Sequence, residues 1–258
     1  MTDRIIRSFE GTRKAGAIAS SALDEVAKIV KPGVKTEDID KLCFEFINDN
    51  KAYSAPLFYR GFPKSCCTSA NHTVCHGIPK DKILKEGDII NVDVTALKDG
   101  WHGDTSRMYF VGEVSTKAKK LVKTTYDALI KSTKILKNGV QVGDIGSIIQ
   151  KHVEAEGFSV VRDFCGHGTG KNFHEPPNIL HYGEPKSGDI LKTGMIFTVE
   201  PMINEGSYET KVLNDGWTAV TKDKKLSAQF EHTVGITDNG YEIFTSSKKG
   251  LDFPPYKT

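Results

Sequence analysis

Asp93 and Asp104 stand on two short segments that read as the arms of one hairpin. Ile90, Val92 and Val94 alternate with Asn91, Asp93 and Thr95, the period-two pattern of a strand. Lys98-Asp99-Gly100 is a turn signal. With Lys98-Asp99 as the loop, Asp93 faces Asp104. With Asp99-Gly100 as the loop, Thr95 faces Asp104 and Asp93 is its diagonal neighbour. Either register puts both carboxylates on one face. Like charges on adjacent strands repel unless a cation lies between them. A solvated face would account for two such aspartates on an ordinary hairpin. Here Val92, Val94, Ala96, Met108 and Phe110 point to a sheet interior, where unpaired carboxylates are costly.

An internal repeat adds two more acids. The stretch from Lys31 to Ile39 matches that from Lys137 to Ile145, and Ile83 to Asp93 matches Ile190 to Glu200. A long-period repeat constrains architecture. Two copies are too few for a solenoid. They imply two similar α+β halves about a pseudo-twofold axis, approximately 8–112 and 114–245, within one catalytic domain over 1–258. The repeat aligns Asp93 with Glu200. An Asp-Gly-Trp turn also recurs, at Asp99 to Trp101 and at Asp215 to Trp217. Asp104 follows the first copy, and the strand Ser227-Ala-Gln-Phe-Glu231 follows the second. Glu231 is then the fourth acid, and both hairpins are expected to aim carboxylates at the shared axis.

Gly166-His167-Gly168-Thr169-Gly170 supplies an imidazole framed by glycines, which permit sharp turns and close approach. A phosphate-cradling loop is the other use of such a run. This one lacks both the dinucleotide spacing and the lysine of a P-loop. Asp93, Asp104, His167, Glu200 and Glu231 together offer four carboxylates and one imidazole. Two divalent cations balance four carboxylates charge for charge. A donor set rich in hard oxygen suits Mn, Fe, Co or Zn in a catalytic site, not a closed cysteine–zinc site. Two such ions close together clamp the intermediate of a hydrolysis.

The elements that carry these residues are legible. Apolar positions recur at helical spacing from Ser8 to Val30, and Pro32-Gly33 ends that run. Thr36 to Ile47 reads as a second helix, with Thr36 as N-cap and Ile39, Leu42, Phe44 and Ile47 as its apolar positions. Residues 53–80 read as short strands and loops. The second half repeats this order.

Composition narrows the class. The chain has 258 residues, 38% hydrophobic and 26% charged, the balance of an ordinary globular protein. A net charge of +2 gives no strong electrostatic case for nucleic acid or membrane. No apolar run reaches bilayer-spanning length, and the first residues hold no apolar stretch of signal-peptide length. Five cysteines without framework spacing read as reduced thiols of a cytoplasmic protein. Lys117, Lys119, Lys120 and Lys123 read as a solvated helix face, with a dock for an RNA-rich partner as the minority reading.

Seven motifs in order resemble the type I methionine aminopeptidases, of the pita-bread fold. They are Val74-Cys-His-Gly-Ile-Pro79, Asp93-Val-Thr95, His102-Gly-Asp-Thr105, Cys165-Gly-His-Gly-Thr-Gly170, Phe173-His-Glu175, Thr198-Val-Glu-Pro201 and Gln229-Phe-Glu-His232. The resemblance runs from the first helix to about Phe244. It implies that Asp93, Asp104, His167, Glu200 and Glu231 ligate two divalent ions, with Asp104 and Glu231 bridging. It implies that His76 and His174 contact substrate, and that Glu200 shuttles a proton to the leaving amine. His174 would support the carbonyl or oxyanion, and His76 the adjoining peptide. A methionine pocket is implied at Tyr59, Phe62, Cys67, His76, Phe173 and Trp217, apolar and sulfur-lined as a thioether prefers. Pro56, Phe62 and Thr169 sit where relatives vary. A monovalent cation is implied near Asn71, Thr73 and Ser227. The implied substrates are nascent peptide N-termini with a small second residue, with transient ribosome contact as an expected partner interaction and a monomer as the default.

Three alternatives use the same fold. Prolidases and proline aminopeptidases share the fold but usually carry a large N-terminal domain, which is not expected here because the first repeat starts near residue 8. Type II methionine aminopeptidases carry a late helical insertion, and His174 to Glu200 is too short for one. A non-catalytic peptide-binding module would be expected to have lost metal ligands, whereas all five are present.

Overall fold

The computed structural model describes residues 2–256, so the outermost residues of the expected domain lie outside the described ones. In chain order the first half holds α1 (Asp3–Ile29), α2 (Thr36–Asp49), β1 (Tyr53–Ser54), β2 (Cys67–Ala70), β3 (Thr73–Cys75), β4 (Ile89–Lys98) and β5 (Trp101–Phe110). The second holds α3 (Thr116–Thr133), α4 (Val142–Ala155), β6 (Ser159–Val160), β7 (Gly166–Gly168), β8 (Glu175–Ile179), β9 (Ile196–Val199), β10 (Met202–Asn204), β11 (Thr210–Val212), β12 (Ala219–Thr221), β13 (Ser227–Gln229), β14 (Glu231–Thr237) and β15 (Gly240–Ile243). The main sheet runs β1-β4-β5-β14-β9-β7-β8, with β2 on β4 and β15 on β14. Its named pairs are antiparallel. Helices cover the sheet, each pair over its own half. Ile90, Val92, Val94 and Ala96 pack with α1 and α2, and Phe197, Val199 and Val234 with α3 and α4. Together this is the α+β pita-bread fold.

The sequence repeat is written into the backbone. Gly33 N–H donates to Leu84 C=O at 2.8 Å, and Gly139 N–H to Leu191 C=O at 2.9 Å. Thr36 N–H donates to Lys82 C=O, and Val142 N–H to Asp189 C=O, each at 3.0 Å. Lys35 bridges Ile83 as Gln141 bridges Ile190. Helices α2 and α4 thus enter by the same turn. In each, the carboxylate at the third helical position accepts from the N-cap N–H: Asp38 from Lys35, and Asp144 from Gln141, both at 3.1 Å.

Three details depart from the expectations. Helix α1 starts at Asp3, earlier than Ser8, with the Thr2 hydroxyl accepting from Ile5 N–H. Thr36 is the first helical residue, not the N-cap. Its hydroxyl is engaged elsewhere, donating to Lys80 C=O at 2.8 Å and accepting from Lys80 N–H at 3.0 Å. The buried stripe of α2 is Ile39, Cys43 and Ile47, while Phe44 points outward at 41% exposure. Every lysine of the expected solvent run meets a carboxylate: Lys117 with Glu205, Lys119 with Glu113, Lys120 with Glu156 and Lys123 with Asp127. Among the described residues no helix is long and apolar enough to cross a membrane.

Candidate metal centre and substrate cavity

The hairpin of β4 and β5 turns at Asp99 and Gly100, whose φ values of 50° and 78° are those of a type I′ turn. Thr95 therefore sits opposite Asp104, and Asp93 opposite Ser106. Of the two registers open from sequence, this is the one with diagonal aspartates. The second Asp-Gly-Trp turn is not the counterpart of this hairpin. It joins β11 to β12, which pair in a separate three-stranded sheet with β3. The counterpart is the pair β9 and β14, with β10 to β13 inserted between them. A turn motif fixes local geometry and says nothing about what has been inserted around it.

Pairing of β5 with β14 joins the halves, Glu231 standing opposite Ser106 and His232 opposite Thr105. The consequence is a row. Asp93 lies on β4, Asp104 on β5, Glu231 on β14, Glu200 just past β9 and His167 on β7, five strands adjacent in that order. Asp104 and Glu231 form the inner pair, Asp93 and Glu200 the outer pair. Ligating atoms of Asp104, His167 and Glu231 all lie within 4.8 Å of one another.

Neighbouring hydroxyls and an amide fix these groups. Thr95 Oγ1 donates to Asp104 Oδ1 at 2.6 Å. Thr198 Oγ1 accepts from His167 N–H at 3.1 Å and donates to Glu200 Oε1 at 2.7 Å. Gln229 Nε2 donates to Glu200 Oε2 at 3.2 Å. Glu200 N–H, beyond the end of β9, donates to Nε2 of the fully buried His181 at 3.1 Å. Thr95, Thr198 and Gln229 fall inside the sequence motifs but carry no expected role there, and His181 belongs to none of them. Thr198 and Gln229 could have been found, because each stands two residues before an acid and so shares its strand face.

Electrostatics make the same cluster costly as it stands. Asp104 and Glu231 are 4% and 2% exposed, and Asp93 and Glu200 are half-buried and line the cavity. Burial pushes Asp104 up to about 7, against the Thr95 hydrogen bond. Burial pushes Glu200 up to about 8, with Asp104 repelling it. Burial and then neighbouring carboxylates push Asp93 and Glu231 well above the usual range. His167 is held down at about 4, chiefly by burial.

His167 Nδ1 lies 3.1 Å from Gly168 C=O, and a carbonyl only accepts, so Nδ1 carries the proton. Nε2 then aims a lone pair at Asp104 Oδ2 and Glu200 Oε1, each 3.6 Å away. Lone pairs gathered on one point without a donor between them fit a cation. The donor set, mostly carboxylate with one neutral imidazole, fits a divalent ion.

Beside this cluster opens a cavity of about 410 Å³. All six residues expected at a substrate pocket line it. Phe62 and Trp217 meet edge to face at 5.2 Å between ring centroids, and His76 stands 6.1 Å from Trp217. His76 has φ 55°, a left-handed backbone that Cys75-His76-Gly77 does not announce. His174 stacks on Tyr59 at 5.1 Å, lies 4.1 Å from the His167 ring and puts Nδ1 3.1 Å from Tyr59 Oη. Burial and then His167 hold it neutral, down at about 3. Cys75, Phe164 and Met202 also line the wall and were not anticipated. Met202 follows Glu200 by two residues, so it too could have been found.

A curled antiparallel sheet carrying acids from both halves to one central cavity defines a class, the pita-bread metallopeptidases. The chain belongs to metallopeptidase family M24, whose profile matches residues 10–238. It is 55% identical over 251 residues to a methionine aminopeptidase of Rickettsia prowazekii, covering 97% of each chain. The crystal structure of a methionine aminopeptidase from Thermotoga maritima superposes with a TM-score of 0.92 at 42% identity, over 95% of this chain and 98% of that one. A prolidase from Pyrococcus furiosus shares the fold at a TM-score of 0.75 and 23% identity, over 96% of this chain and 65% of that one.

Proposed function

We propose that this chain hydrolyses the N-terminal methionine from peptides and nascent proteins, favouring a small second residue. The single observation that carries the reading is the row of five donor groups on adjacent strands, opening onto an aromatic, sulfur-lined cavity. Asp93, Asp104, His167, Glu200 and Glu231 would hold the divalent ions, a pair of Co, Mn, Fe or Zn. Ions bound there supply Lewis acidity at the scissile carbonyl.

The chain's own groups do the rest. Glu200, pinned by Thr198, Gln229 and His181, accepts the proton of the attacking water and passes it to the leaving amine. With the Tyr59 phenol donating to Nδ1, His174 keeps its proton on Nε2 and donates to the developing oxyanion. His76 contacts the peptide beside the cleaved bond. Tyr59, Phe62, Cys67, Phe173 and Trp217 enclose the methionine side chain and exclude water from it.

The finer proposals concern setting. A monovalent cation would sit near Asn71, Thr73 and Ser227, where Ser227 N–H donates to Asn71 C=O at 2.8 Å and nearby Asn204 has a buried Oδ1 without a partner among the described residues. The chain acts in the cytoplasm as a monomer, with transient ribosome contact.

Release of free methionine from Met-Ala-Ser, compared with hydrolysis of an Xaa-Pro peptide, tests the activity. Metal-dependent cleavage of Met-Ala-Ser alone is expected. Cleavage of the Xaa-Pro peptide alone would move the chain to the prolidase class.

A further inference from the structure

The rim of the cavity carries a cation that the hydrolytic machinery does not use. Arg60 lines the cavity from the segment between β1 and β2, and it is exposed. Phe58, Arg60 and Gly61 have φ of 66°, 47° and 87°. Left-handed backbone at two non-glycine residues so close together persists only where its surroundings over-determine it, and such strain collects at ligand-contacting sites. Here backbone bonds close the turn. Tyr59 N–H donates to Pro56 C=O at 3.0 Å, Phe62 N–H to Tyr59 C=O at 2.9 Å and Phe58 N–H to Phe62 C=O at 2.8 Å.

The guanidinium lies 5.4 Å over the Tyr59 ring. Among the described residues no carboxylate pairs with it, whereas Lys64 on the same segment reaches Asp40 at 3.8 Å. Asp163 is the other charged residue on the wall outside the metal cluster, and its Oδ2 accepts from Thr210 Oγ1 at 2.5 Å. Arg60 thus stands at the mouth without an ion-pair partner among the described residues, with the Asp163 carboxylate keeping its own charge elsewhere on the wall.

Its reach can be placed. Tyr59 stacks on His174 at 5.1 Å between ring centroids, and Arg60 caps the same Tyr59 ring. The guanidinium thus lies within about three residues of extended chain, at roughly 3.4 Å each, of the His174 ring. On the proposed reading the methionine side chain fills the inner pocket, and a peptide continuing past His174 would come within reach of this rim.

We propose that Arg60 reads charge on the emerging substrate. It favours peptides with a carboxylate two or three residues past the scissile bond over those with lysine there. The inference rests on the aminopeptidase reading.

The test compares kcat/KM for Met-Ala-Glu-Glu and Met-Ala-Lys-Lys peptides, blocked at the C-terminus, with Met-Ala-Ser as reference. At low salt the acidic peptide is expected to lead by about fivefold, shrinking toward parity in about 0.5 M salt. Arg60→Asn, chosen because asparagine tolerates left-handed backbone, should bring the ratio to near one. Arg60→Lys should keep most of it, and Arg60→Glu should invert it. A wild-type ratio near one at low salt overturns the proposal without any variant, and so does a ratio that survives Arg60→Asn. Cleavage of none of the three peptides would instead remove the aminopeptidase reading, and the inference with it.

Discussion

The backbone N–H of Glu200 donates to Nε2 of His181 at 3.1 Å, and His181 has no exposed surface. Strand β9 has ended at Val199, so no neighbouring strand is available to this N–H. Burial, with His167 nearby, holds His181 down at about 3, so it stays neutral and accepting. Replacing it by phenylalanine removes the acceptor and leaves Glu200 loosely placed. His181→Phe is expected to lower kcat by about 10–100-fold, with KM changed far less and part of the loss restored by His181→Gln. Steady-state kinetics on Met-Ala-Ser check this. An equal change in kcat and KM would remove the positioning role.

Glu200→Gln keeps shape and volume but cannot carry a proton from water to amine. Turnover should fall by at least about 100-fold while the fold is retained. Circular dichroism beside the peptide assay decides it. Wild-type kcat/KM in this variant would take the shuttle role away from Glu200.

Tyr59→Phe deletes the hydroxyl 3.1 Å from His174 Nδ1 and leaves the stacked ring in place. The imidazole then loses the partner that fixes its tautomer, at a cost of about 1 kcal/mol in the transition state, or roughly fivefold in kcat. Unchanged kcat would mean that the phenol only packs.

The metal-stripped chain should have an inverted pH response. Asp104 and Glu200 are pushed up to about 7 and about 8, above their unfolded values. The folded state then holds more protons than the unfolded one, and stability falls as pH rises through these values. His167, His174 and His181, held down by burial, act oppositely, losing stability as pH drops below about 6.5. Melting of the stripped chain is expected to peak near pH 6.5 and to fall by several degrees toward pH 8.5. Added divalent metal should remove that fall, because the ion replaces the protons. A melting temperature that climbs from pH 6.5 to 8.5 in the stripped chain would count against the buried acids.

Much of this was legible in the sequence because it repeats. Period-two alternation around Asp93 fixed a strand, and the match of Ile83–Asp93 with Ile190–Glu200 carried that strand and its acid into the second half. The repeated entry bonds of α2 and α4 are the physical counterpart of that match. What stayed hidden depends on distance in the chain. His181 is brought to Glu200 by tertiary packing alone, and nothing around His181 in sequence marks it. Trp217 lines the cavity, yet its turn does not belong to the hairpin expected for it, because β10 to β13 interrupt the second copy. Left-handed backbone at Arg60 and His76 is imposed by loop closure, without glycine to signal it.

Calorimetric titration of the metal-stripped chain with Mn²⁺, run beside Asp104→Asn, goes most directly to the acid cluster. Asp104 sits at the inner pair and within 4.8 Å of both the His167 and Glu231 ligating atoms, so its loss should be felt by both ions. Saturable uptake of two ions by the parent chain is expected, with the variant losing at least one of them. No saturable uptake by the parent, or two ions held with unchanged affinity by the variant, would contradict a metal centre built on these residues.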